Sequence, residues 1–255
     1  MTLELTALKG IPIIQPDDNL AEIIAVSLIE NRITLENKDI LVVAQKIVSK
    51  AENRFVELSH VSPSKEAFEL ADQSGKDARI AELILRESNC VLRVRPGTVI
   101  VEHRLGFICA NAGIDHSNVG SGLNNSGETV LCLPENPDKS AGKIRDYLER
   151  ISIKRIGVMI IDSHGRAWRL GTVGTAIGIS GFPGLVDLRG TTDMFGNKLL
   201  TTEIGAADEL AGGASLVMGQ AGERTPVVHV RGFPYNFREA ALDELIRPLD
   251  TDLFR

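Results

Sequence analysis

Two aspartates stand in similar settings. Asp115 follows an apolar stretch, inside the glycine-flanked segment Asn111-Ala-Gly-Ile-Asp115-His-Ser-Asn118. Asp162 follows the continuous apolar run 156–161 and is succeeded by Ser163, His164 and Gly165. A carboxylate beside an amide or a hydroxyl is the oxygen-rich donor set that hard cations such as Mg²⁺ and Mn²⁺ take. Each also has an ordinary reading: an Asx turn for Asp115 and Asn118, and a turn whose carboxylate caps backbone amides for Asp162. The two together weigh more than either alone. A metal in phosphate chemistry is usually held by one or two carboxylates and shares its other positions with phosphate oxygens and water. Paired carboxylates also serve glycoside hydrolysis. Aromatic residues make up only 4% of this chain, which leaves few rings to stack sugars and disfavours that chemistry.

The segment Met218-Gly-Gln-Ala-Gly222-Glu-Arg-Thr-Pro226 is rich in small residues. Glycines let backbone amides approach a ligand and cradle phosphate; the plain alternative is a connecting loop with Gly219 or Gly222 ending a helix. Ser49-Lys50 offers an ammonium for phosphate, or a solvated turn. Arg166, Arg169 and Arg189 have the chemistry to grip a carboxylate bidentately, though surface arginine is the default. Gly171, Gly174, Gly178 and Gly181 suit close chain packing, at a subunit contact or elsewhere. They form neither GxGxxG after a strand nor a P-loop, and no GxSxG elbow occurs. His116 and His164 adjoin the two aspartates. Cys90, Cys109 and Cys132 make neither a zinc pattern nor a disulfide framework.

These residues need elements to hold them. Alternation over 3–8 predicts a strand, and Asp17 or Asp18 is placed to cap a helix with Leu20, Ile23, Ile24 and Leu28 inward. The runs 40–44 and 156–161 are predicted buried strands, the second ending at Asp162. A strand is predicted over 54–58, a helix opening at Ser62-Pro63 and interrupted by Gly75, and a second helix over 77–88. Short strands follow over 91–94, 99–102 and 107–110, then a loop over 111–129. Asp138 is placed to cap the next helix. The longest amphipathic helix is expected over 202–218, with a strand over 227–230 and a short helix over 238–246. Consecutive strands near 91–110 break any clean βαβ series, so the pattern predicts an α+β fold with a mixed sheet.

The 255 residues, 43% hydrophobic, suffice for a large core. One domain over 1–255 is expected, or two interlocked subdomains divided near residue 85. The formal charge of −6 gives no general attraction for nucleic acid or an anionic membrane. No signal segment precedes the chain's first strand and no apolar run is long enough to span a bilayer, so the expected location is cytoplasmic.

Taken in order, several stretches resemble the coenzyme F420:L-glutamate ligases, also called F420-0:γ-glutamyl ligases. They are GIPII at 10–14, VVAQKIVSKAENR at 42–54, NAGIDHSNV at 111–119, IGVMIIDSHGRAWRLGTVGTAIGISG at 156–181, MGQAGERTPVVHVRG at 218–232 and the tail RPLDTDLFR. The resemblance covers nearly the whole chain. It implies an unusual ligase fold forming an intertwined homodimer, without the C-terminal flavin-binding domain of some relatives. It implies a GTP-dependent enzyme that uses Mg²⁺ or Mn²⁺, is stimulated by K⁺, and joins L-glutamate to the lactyl carboxylate of F420-0, a deazaflavin precursor, with further γ-linked glutamates in some cases. Activation would run through an acyl phosphate. The matching positions imply Asp115 and Asp162 at one metal, and Ser163 and Gln220 at a second. They imply a nucleotide site lined by Ile11, Pro12, Ile13, Ile14, Gln45, Lys46, Lys50, Asn118, Met218, Gly219, Gln220, Ala221, Gly222, Glu223, Arg224 and Thr225. Ser163 stands where some relatives have Thr, Gln220 where some have Glu, and Gln45 and Lys46 replace smaller polar residues. A paralogous ligase with another acid acceptor, a metal-dependent nucleotide phosphohydrolase and a non-catalytic nucleotide-binding module are the competing readings.

Overall fold

The computed structural model describes residues 2–115 and 128–252. In chain order the elements are β1 (Glu4–Ala7), α1 (Leu20–Glu30), β2 (Ile40–Ala44), α2 (Gln45–Ala51), β3 (Phe55–Glu57), α3 (Lys65–Ser74), α4 (Ala78–Arg86), β4 (Ser88–Arg95), β5 (Thr98–His103) and β6 (Ile108–Ala110). They continue with β7 (Thr129–Leu131), α5 (Pro137–Ser152), β8 (Gly157–Arg166), β9 (Arg169–Ser180), β10 (Val186–Asp187), β11 (Glu203–Ile204), α6 (Ala206–Met218) and β12 (Val227–Arg231). The fold is α+β with a mixed sheet, as the pattern predicts.

The central sheet runs β1-β12-β2-β8-β9. Only β2 and β8 pair in parallel; the other neighbours are antiparallel. The two apolar runs lie at its middle because both of their faces are covered. Leu41, Val43, Val158 and Ile160 share one core with Ile24 and Leu28 of α1 and Ile144 and Leu148 of α5. Ile40, Val42, Met159 and Ile161 point the other way, onto Leu210, Ala211 and Ala214 of α6. The period of two in side-chain direction thus serves two layers at once. A second sheet, β4-β5-β6, packs against α3 and α4 around Leu70, Ile80, Ile84, Val99 and Val101. That core draws on both sides of residue 85, and Phe107 packs against it and against the first core as well.

Several local expectations are corrected. The caps of α1 and α5 are Asn19 and Asn136, whose side chains accept from the amides of Glu22 and Lys139. Asp17 and Asp18 lie before the first turn of α1. Asp138 lies inside α5, and its carboxylate accepts from the amides of Ile179 and Leu242, tying the helix to β9 and the C-terminal segment. The cap of α3 is Ser64, two residues past the expected opening at Ser62. The chain leaving β2 turns into α2, where a strand-to-turn passage was expected. β8 does not end at Asp162; it continues to Arg166 and pairs with β9. α5, at 16 residues, exceeds α6, at 13. The helix expected over 238–246 is a single 3₁₀ turn, Leu242–Leu245. No helix among the described residues is long and apolar enough to cross a membrane.

Candidate functional site

β2 and β8 run side by side, and Ala44 pairs with Ile161. The first turn of α2 therefore begins next to the point at which β8 carries Asp162. A cleft of about 870 Å³ opens here. Its walls are 11–14, α2, the segment before Asp115, residues 161–165 of β8 and the loop 218–226. Every expected site residue in the described part of the chain lines it, and Asn118 and His116 lie outside the described residues. Ala110, Gly113 and Ile114 also line it; their sequence signal was only that they lead to Asp115. Arg166, Arg169 and Arg189 do not line it. Arg189 is paired with Asp187 at 2.7 Å, and Arg166 donates to the carbonyls of Leu170 and Gly171.

Asp115 is fixed at both its backbone and its carboxylate. Its amide donates to the carbonyl of Leu131 (2.9 Å), whose amide donates back (3.0 Å). Its Oδ2 lies 2.7 Å from Lys46 Nζ. Lys50, one turn further along α2, is buried; burial pulls its pKa down, the nearby Lys46 adds to that, and Asp115 opposes it. One face of α2 thus carries two ammonium groups toward one carboxylate.

On the other side of the cleft, Ser163 Oγ donates to Gln220 Oε1 (2.7 Å), and Gln220 Nε2 donates to Ser215 Oγ of α6 (2.7 Å). These two bonds tie β8 to the loop after α6. The loop is pinned further by Thr225 Oγ1 donating to the Met218 carbonyl and by the Ala221 amide donating to Glu223 Oε2, both at 2.8 Å. Gly219 caps α6, with its amide donating to Ser215 O. Gln45, at the start of α2, is buried and accepts from Ser49 Oγ at 2.9 Å. Asp162 Oδ2 lies 3.2 Å from His164 Nε2, although the pair is not aligned as a hydrogen bond.

The side chains expected at the metals, Asp115, Asp162, Ser163 and Gln220, offer two carboxylates, a hydroxyl and an amide oxygen, and the carboxylate of Glu223 and the imidazole of His164 line the same cleft. The four oxygen donors of Asp115, Asp162, Ser163 and Gln220 suit a hard divalent cation. No group of three or more His, Cys, Asp or Glu side chains forms a metal cage among the described residues, so an ion here would draw its remaining ligands from a substrate and water. Cys109 and Cys132 are buried free thiols raised to about 12 and about 11 by burial; they are inert at neutral pH.

Residues 10–232, which include every residue lining the cleft, match the family model described as F420-0:Gamma-glutamyl ligase. The chain belongs to the F420-0:gamma-glutamyl ligase family. The coenzyme F420:L-glutamate ligase of Methanococcus maripaludis (strain C6) is 44% identical over 247 residues, covering 96% of this chain and 94% of that protein. Its counterpart from Methanothermobacter thermautotrophicus is 41% identical over 257 residues, spanning all of both chains. That from Methanopyrus kandleri is 45% identical over 246 residues, or 95% of this chain and 93% of that protein. The family match therefore covers the whole cleft and nearly all of the three cores.

Proposed function

We propose that this chain joins L-glutamate to the lactyl carboxylate of coenzyme F420-0 at the expense of GTP. The single observation that carries the reading is the convergence of Asp115, Asp162, Lys46, Lys50 and the 218–225 loop on one cleft, in a chain of this family. An amide does not form from a carboxylate and an amine in water without activation. In the proposed sequence a carboxylate oxygen of F420-0 attacks the γ-phosphorus of GTP, and the bond to the GDP oxygen breaks. The glutamate amine, having lost a proton, then attacks the acyl carbon, and phosphate leaves with the electron pair of the C–O bond. Mg²⁺ or Mn²⁺ held by Asp115 and Asp162, with a second ion near Ser163 and Gln220, would neutralise phosphate charge and so let two anions approach.

The chain's own groups do the rest. Lys46 and Lys50 add positive charge on the nucleotide side. The 218–225 loop lines the same cleft, where its amides not already bonded to Ser215 and Glu223 would meet the phosphates. The apolar edge at 11–14, where Ile13 is exposed and Ile14 buried, suits a base. Most of the rate would come from positioning and charge stabilisation. K⁺ stimulation, a homodimer and a cytoplasmic location complete the reading. Trp168, Leu170, Phe195 and Leu216 are exposed apolar side chains of the kind that a second copy covers.

The test is mass spectrometry of a reaction containing the protein, F420-0, L-glutamate, GTP, Mn²⁺ and K⁺, with GTP omitted as the control. The expected product is heavier by one or more glutamyl residues and appears only with GTP. Phosphate release without a glutamylated product would instead make the protein a nucleotide phosphohydrolase. Bound GTP with neither outcome would point to a different acid acceptor.

A further inference from the structure

We propose that His164 is a positioning residue for Asp162: its Nε2–H, which lies 3.2 Å from Oδ2 without hydrogen-bond alignment in this structure, turns to donate there and fixes the direction in which the carboxylate meets the divalent ion. The inference rests on the metal reading given above and adds a residue to it. Asp162 and His164 are two apart on β8 and so emerge on the same face of the strand. Their facing atoms are 3.2 Å apart. His164 is only 8% exposed, and its Nε2 has no hydrogen-bond partner among the described residues. A buried polar nitrogen left without a partner costs about 1–3 kcal/mol, and with the ring proton on Nε2 this nitrogen requires an acceptor. The carboxylate of Asp208 accepts from the Ala176 amide at 2.9 Å through Oδ1 and makes no ion pair with His164 within 4 Å among the described residues, whereas Asp162 Oδ2 lies at 3.2 Å. Asp162 Oδ2 is the acceptor within reach.

The imidazole is also braced from behind. Phe107 lies against it with ring centroids 5.2 Å apart and the planes tilted by 45°. On its other side, Phe107 stacks on fully buried His103 at 5.1 Å, nearly parallel. The turn between β5 and β6 therefore supplies a packing surface for a side chain of the larger sheet. Carboxylates that ligate metals are usually held by such outer hydrogen bonds, and losing one typically costs about 10–100-fold in metal affinity.

The experiment is Mn²⁺ binding to the full chain, read by electron paramagnetic resonance, for wild type, Asp162→Asn, His164→Phe and His164→Gln. Phenylalanine keeps the packing against Phe107 and removes the donor; glutamine keeps a donor. With Asp162→Asn losing the ion, His164→Phe should bind Mn²⁺ about 10–100-fold more weakly, and His164→Gln should recover most of that loss. If His164→Phe binds Mn²⁺ as wild type does while Asp162→Asn does not, the role of His164 is refuted and the metal site stands. Absence of Mn²⁺ binding by the wild type overturns the metal site and the inference with it. Should His164→Phe lack the wild-type circular dichroism, His164→Met replaces it in the same comparison.

Discussion

The two aspartates are held by different means, and substitution should separate them. Asp115 faces Lys46 at 2.7 Å, with both side chains about a quarter exposed, so the pair itself adds little to stability. Asp115→Asn and Asp162→Asn should each leave the melting temperature nearly unchanged and lower ligation by about 100-fold or more, the scale on which single charge-stabilising groups act. Ligation that keeps its rate and its metal dependence in both variants would remove these residues from the metal site. Both aspartates were legible in the sequence because each follows an apolar stretch. The pairing of Lys46 with Asp115 was not legible, since it depends on how α2 and the segment before β7 meet in space. Nor was the fate of Arg189: its guanidinium is spent on Asp187, a neighbour two residues away, and so it never faces the cleft.

At the scale of elements, three of the four glycines noted over 171–181 lie against other parts of the chain, while Gly171 has nothing within 4 Å. A Cβ on Gly174 would sit 2.4 Å from the carbonyl oxygen of Ala211, and one on Gly178 would sit 2.5 Å from the backbone of Pro137. These glycines let β9 lie directly on α6 and on the first turn of α5. Backbone atoms cannot give way as a flexible side chain does, so Gly174→Ala should destabilise by about 1–3 kcal/mol. In a chain of this size that is a fall in melting temperature of roughly 2–12 °C. Gly222→Ala, where nothing lies within 4 Å, is the control and should melt like wild type. Equal melting of the two variants would contradict the packing argument. The buried strands β2 and β8 were legible because a strand covered on both faces must be continuously apolar. α2 was not, because its buried face includes Gln45, Ser49 and Lys50, polar residues placed by the site and invisible to hydrophobic periodicity. The continuation of β8 past Asp162 was missed for the same reason: its residues 162–166 are polar and pair only with β9.

For the whole molecule, buried titratable groups set how stability depends on pH. His103 is fully buried; burial lowers its pKa to about 4 against the pull of Glu87, so the ring is neutral at pH 7. Its Nδ1 accepts from the Leu105 amide, and the same neutral ring stacks on Phe107, which packs against both the first core and that of the β4-β5-β6 sheet. In the unfolded chain the imidazole titrates near 6.5, so between that value and about 4 the unfolded state binds the extra proton. Stability from this group is complete above pH 6.5 and is lost as pH falls through that window, amounting to a few kcal/mol at about 1.4 kcal/mol per pKa unit. Asp39 acts lower. Burial raises its pKa, but Arg231 and His229 outweigh it and bring it to about 2, so its contribution is lost below the ordinary carboxylate range. Asp138 and Asp208 oppose this trend, since burial raises their pKa values and the folded state then holds protons longer than the unfolded one. Their effect falls at and above the ordinary aspartate value and so flattens the lower part of the His103 window. Urea denaturation of the wild type between pH 8 and pH 4 should therefore show most of its loss starting near pH 6.5. His103→Phe keeps a ring against Phe107 and removes the proton site; it should be less stable at pH 8 for want of the Leu105 hydrogen bond, yet lose much less on acidification. A variant whose stability falls as steeply as wild type over that interval would place the acid sensitivity in some group other than His103.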